Sequence, residues 1–185
     1  MSTAIAVPGT SLKLPADTES QLLYTAACSV REFLQNTGNA EPTLTSNLKN
    51  NFSMHLRPKV LPTLETFICS VAQSLKITPV VVVTSLIYVE RLSKRLPQTA
   101  KTKADTPYRI FLAALLLAEK YWSDQAVKVK LLVMATGGLF RHGEILAMER
   151  ALLRVLKFEL YVSADHIHGF AKRLGIEIDA TCQLQ

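Results

Sequence analysis

Long apolar runs, paired cysteines and catalytic clusters are all scarce in this sequence, and each scarcity excludes something. The longest unbroken apolar run, Ile110 to Ala118, has nine residues, far short of the roughly 20 that a membrane-spanning helix requires. The segment MSTAIAVPGTSLKLP has no basic start, and Pro8 and Gly9 interrupt its only apolar stretch, so it is a poor signal peptide. No membrane partner is expected. The three cysteines, Cys28, Cys69 and Cys182, are odd in number and far apart, with no CxxC. That pattern indicates neither a disulfide framework nor a zinc site. An intracellular, reducing compartment is expected, the nucleus or the cytoplasm.

Groups that could do chemistry are equally sparse. His166 and His168 form a lone His-x-His with no third ligand in view, and His55 and His142 are isolated. Gly137-Gly138 precedes no phosphate-loop lysine, so it reads as a helix stop. There is no GxSxG, no Cys/His arrangement and no clustered carboxylate pair. The expectation is a non-catalytic protein without cofactor or metal.

What is present is apolar bulk and positive charge. Apolar residues make up 49% of the 185 residues, ample for one packed domain with extensions. The net charge of +6 is uneven. Residues 1–90 hold six Lys/Arg and six Asp/Glu, residues 91–157 hold thirteen against five, and the remainder carries −2. The basic middle could attract nucleic acid, phosphoproteins or an acidic protein surface, or could be no more than scattered, solvated helix faces.

No segment alternates like a strand, so the fold class is all-α. Residues 1–17 are expected to be disordered. Residues 18–36 form an N-terminal helix with Leu22, Leu23, Ala26, Ala27, Val30, Phe33 and Leu34 at helical spacing, capped by Asp17 or Thr18 and stopped by Gly38. Such a helix buries its stripe on its own bundle or on a partner. Residues 37–60, rich in Asn, Thr, Ser and Pro, read as a linker. The main body, residues 61–163, opens with Pro62 in a first helical turn and a stripe of Leu64, Phe67, Ile68, Val71 and Leu75. Two further helices start with Thr78-Pro79 and Thr106-Pro107, where threonine can accept orphan N–H groups and proline loses nothing by lacking one. Val80 to Val83 favour a strand by propensity, but Leu86, Ile87, Val89, Leu92 and Leu96 continue the run at helical intervals. A fourth helix is expected over 125–136 and a fifth from Gly143 to about Phe158. Residues 164–185 form a short helix, capped by Ser163 and closed by Gly175, and a tail.

Two charged residues stand among apolar neighbours. At about 100° per residue, Glu149 falls about 40° from Ile145, inside the stripe of Leu152, Leu153 and Leu156. A carboxylate there needs a partner. Lys120 closes the apolar helix RIFLAALLLAEKYWSD. Two readings compete: an internal ion pair between neighbouring helices, or two groups on a common surface that bind the backbone of another protein. Glu119, at the centre of the Leu112, Leu115, Leu116 stripe, has no explanation in the sequence.

The order TPVVVVTSLIYVERL, TPYRIFLAALLLAEKYWSD, then EILAMERALLRVLKFELYVS resembles a cyclin box, most nearly that of the fungal single-box cyclins of the PCL and phosphate-regulation type. LLLAEKYWSD is similar to the family's Ala-x-Lys-aromatic segment, and AMERALLRVLKFELYVS to its fifth helix. The resemblance implies a five-helix cyclin box, here with an extra helix at each end, that docks on a cyclin-dependent kinase and stimulates it. It further implies that Lys120 and Glu149 hydrogen-bond backbone groups around the start of the kinase's mobile regulatory helix. LPTLETFICSVAQSL lacks the family's Met-Arg-x-Ile-Leu substrate-recruiting sequence, and Glu119 replaces a usually small residue. Two other readings are a cyclin-fold nucleic-acid-binding or transcription-factor-like protein and a kinase-independent adaptor. Nucleic acid is the less expected partner, because no aromatics interleave with the basic residues.

Overall fold

The structure, a computed structural model, describes residues 16–35, 61–97, 103–124 and 127–176. The expected linker, the helix stop at Gly38 and the C-terminal tail with Cys182 lie outside the described residues. Seven α-helices and no strand occupy the described chain: α1 (Ala16–Gln35), α2 (Leu64–Leu75), α3 (Pro79–Arg95), α4 (Thr106–Trp122), α5 (Val129–Ala135), α6 (His142–Val155) and α7 (Ala164–Arg173).

Helix α1 starts at Ala16, so neither Asp17 nor Thr18 is the residue before it, and residues 1–15 of the stretch expected to be disordered lie outside the described residues. Leu22, Leu23, Ala26, Ala27, Val30 and Leu34 are all buried, at most 4% exposed. They pack on α2 and α3, with a smaller contact to α4, so the bundle itself covers the stripe. Arg31 and Glu65 tie α1 to the start of α2 at 2.6 Å.

Helix α2 begins at Leu64, two positions after Pro62, which lies before it and not in its first turn. Thr63 is its cap, with Oγ1 accepting from the Thr66 N–H at 3.2 Å. Leu64, Phe67, Ile68 and Val71 are buried as their spacing required. In α3 the valine run is helical, and Val80 to Val83 are all at most 4% exposed. Valine in a helix costs about 0.5 kcal/mol relative to alanine, whereas burying its side chain contributes about 1.5 kcal/mol or more. Burial wins because α3 lies between α1 and α4. Neither Thr-Pro start is capped by a threonine side chain, contrary to expectation. Thr78 makes no side-chain cap; its backbone carbonyl accepts from Val81 and Val82. Thr106 lies inside α4, whose preceding residue is Asp105.

Helix α4 is central, packed by α3, α6, α1 and α2, and every residue from Phe111 to Ala118 is buried. Helix α5 runs only from Val129, shorter than expected, and stops where Gly137 and Gly138 take left-handed backbone (φ 60 and 71). Helix α6 ends at Val155, short of Phe158, because Lys157 and Phe158 are themselves left-handed (φ 53 and 61). Ser163 caps α7, accepting from the His166 N–H at 3.2 Å. No helix among the described residues is long and apolar enough to cross a membrane.

Candidate functional site: an ion pair between α4 and α6

Lys120 closes the last turn of α4 and Glu149 sits mid-way along α6, and the structure brings them together. The Lys120 ammonium donates to Glu149 Oε1 at 2.5 Å. Their environments differ: the lysine side chain is 42% exposed and the glutamate side chain 8%. Glu149 therefore lies within the stripe, as the helical wheel placed it, and has the partner that its burial demands. No residue besides Lys120 bonds to this carboxylate among the described residues. A carboxylate has about four acceptor sites and an ammonium three donors. Both groups keep hydrogen-bonding capacity for a further partner at the surface edge of the α4–α6 seam.

The surroundings are apolar and partly open. Tyr121 follows Lys120 and is 39% exposed, with its ring 5.3 Å from that of Trp122 in an edge-on arrangement. The Trp122 indole N–H is anchored on Thr84 Oγ1 of α3 at 2.8 Å. Leu153, one turn beyond Glu149, is half-buried against the core. After α6 come Phe158 and Tyr161, 70% and 75% exposed.

Left-handed backbone at a lysine and a phenylalanine costs roughly 1–2 kcal/mol per residue, so this turn needs outside support. Three residues of α3 supply it. Tyr88 donates to the Leu160 carbonyl at 2.8 Å, and Arg91 donates to the carbonyls of Glu159 and Tyr161 at 2.8 and 2.9 Å. Arg95 donates to the Val155 carbonyl at 3.1 Å and is ion-paired with Glu159. Burial, aided by the nearby Tyr121, pushes the Tyr88 phenol well above the usual tyrosine range, so it stays a donor. Tyr88, Arg91 and Arg95 follow one face of α3 and were not singled out from the sequence. Their spacing at i, i+3 and i+7 is legible there, but the carbonyls they hold are not.

Glu119 does not join this group. It is half-buried with no ion-pair partner among the described residues, and desolvation raises its pKa above the usual carboxylate value. His168 Nδ1 lies 2.9 Å from the Ala164 carbonyl, a local helix contact.

An all-helical bundle packed around a central α4 is consistent with a cyclin box fold. The N-terminal domain of the cyclins matches residues 20–161, and the chain belongs to the cyclin family. The match includes most of α1. Two yeast (Saccharomyces cerevisiae) proteins are similar to the chain. PHO85 cyclin-1 is 34% identical over 107 residues, 58% of this chain and 38% of that protein. PHO85 cyclin-9 is 34% identical over 128 residues, 68% of this chain and 41% of that protein. The chain thus spans about two fifths of the length of these curated relatives. No solved structure gives a significant match.

Proposed function

We propose that the chain is the regulatory subunit of a cyclin-dependent serine/threonine kinase of the PHO85 kind for which its two relatives are named. It binds the kinase, activates it and helps to choose its substrates, performs no catalytic step itself, and acts inside the cell, in the nucleus or the cytoplasm, in nutrient and cell-cycle signalling. The observation that carries this reading is the Lys120–Glu149 pair, half in and half out of the α4–α6 seam, in a chain of the cyclin family.

The chemistry suits a helix start. The first turn of an α-helix presents unpaired N–H groups and a positive dipole end, which the remaining acceptor sites of Glu149 can receive. Lys120 can donate to carbonyls of the loop before that turn. Tyr121, next to Lys120, and Leu153, one turn beyond Glu149, can supply apolar contact beside this polar centre, and Phe158, exposed in the segment that α3 clamps, can extend it. A kinase helix fixed there brings its own glutamate to the ATP-binding lysine, the condition for phosphotransfer.

The test is reconstitution. The purified chain is added to a PHO85-type kinase and phosphotransfer to a protein substrate is followed. The expected result is no activity from the chain alone, activity from the mixture, and weakened binding with Phe158→Ser, which lies outside the core. Phosphotransfer by a kinase-free preparation, or a Phe158→Ser chain that binds and activates as wild type does, overturns the assignment.

A further inference from the structure

Helices α5 and α6 pack against each other and are joined by the Gly137–Gly138 turn. Between Val127 and Phe158 the chain has six cations, Lys128, Lys130, Arg141, Arg150, Arg154 and Lys157, and two carboxylates. Each carboxylate has a cation of α4 beside it: the buried Glu149 pairs with Lys120 at 2.5 Å, and Glu144, which also accepts from the Arg141 N–H at 2.8 Å, lies 3.6 Å from Arg109. All six cations are exposed, and none has an ion-pair partner among the described residues. The negative charge of this region is thus engaged by cations of α4, while its positive charge stays exposed.

Two large apolar side chains one turn apart on α5 are exposed beside Lys128 and Lys130 in the sequence. Met134 is 74% exposed and Leu131 is 48% exposed, both on α5. We propose that the α5–α6 face is a docking site for an acidic segment of a partner protein, with carboxylates spaced to meet the cations and a bulky apolar side chain laid on Met134 and Leu131.

Charge complementarity selects the sign of the occupant, and the apolar pair selects its class. Neither α5 nor α6 contains Phe, Tyr or Trp, so a nucleic-acid strand would find no large stacking ring along these helices. The cations are spread along two helices and the turn between them, which matches a line of carboxylates better than one phosphate. Methionine fits such a surface because its flexible, polarizable side chain adapts to varied apolar partners. This inference does not rest on the kinase reading, since it concerns binding by the chain alone.

The test uses the full chain and a labelled peptide of about a dozen residues, rich in Asp and Glu with a central leucine, followed by fluorescence anisotropy. The expected result is saturable binding that falls as salt rises. Reversal of two cations together, Arg150→Glu with Arg154→Glu, is expected to weaken binding by about tenfold or more, and Met134→Ser by about threefold. All three positions are exposed, so folding is preserved and is checked by thermal melting. The proposal is overturned by absence of binding or by binding that the variants leave unchanged. It is also overturned if a peptide with leucine replaced by serine binds as well, or if the face prefers plain duplex DNA or phosphatidylserine vesicles to the acidic peptide.

Discussion

Removing Lys120 should expose how much of the seam depends on its ion pair. In Lys120→Ala the Glu149 carboxylate, 8% exposed, loses the ammonium 2.5 Å away and has no other partner among the described residues to replace it. A hydrogen bond to a charged group contributes about 1.5–3 kcal/mol when buried. The lysine is 42% exposed, so water reaches the pair and the figure is reduced toward that of an exposed pair. A loss of about 1–2 kcal/mol is expected, equivalent to about 2–8 °C in Tm for a chain of this size. Glu149→Ala should cost less on the electrostatic side, because the freed ammonium swings into water. Glu149→Leu, which refills the stripe, should be near neutral for folding. A double-mutant cycle with Lys120→Ala and Glu149→Ala, read by urea unfolding, should show coupling of about 1 kcal/mol. Kinase pull-down on the same proteins separates the two roles: Glu149→Leu should keep the fold and lose binding, since it offers no acceptor to the kinase helix. Zero coupling would show that the pair contributes nothing to folding. Full kinase binding by Glu149→Leu would remove the carboxylate from the docking surface.

Two further outcomes follow from the packing. Ala114 is 0% exposed in the central helix, so Ala114→Leu forces extra methylenes into a filled core and should destabilise by about 1–3 kcal/mol; an unchanged urea midpoint would place that side of α4 in solvent. The raised pKa of Glu119 means that its charged form is disfavoured in the folded state, so the native chain gains stability as pH falls through the folded value and is penalised above it. Glu119→Gln should therefore melt higher than wild type at neutral pH, with the difference closing on acidification, and a gap independent of pH would exclude titration of Glu119 as its source.

The helices were legible in the sequence because their information is local. Periodic apolar residues located α2, α3 and α6, Ser163 and Gly175 bracketed α7, and the unbroken apolar run from Ile110 to Ala118 lies within α4. Helix ends were less legible. Thr106 could not be recognised as lying within α4, nor the left-handed backbone at Lys157 and Phe158, because neighbouring segments compete for those groups. The family itself could be read from short motifs, since Lys120, Glu149 and the aromatics near them recur in order along the chain. Partnership could not. That Lys120 and Glu149 meet, that α1 closes on α2 and α3, and that Tyr88, Arg91 and Arg95 hold residues 155–161 are facts about residues far apart in sequence. The same holds for charge. The sequence by itself determined an excess of cations in the middle of the chain. Only the packing of α6 on α4 decided that the two carboxylates of this region meet Lys120 and Arg109 of α4 and that the cations of α5 and α6 remain at the surface.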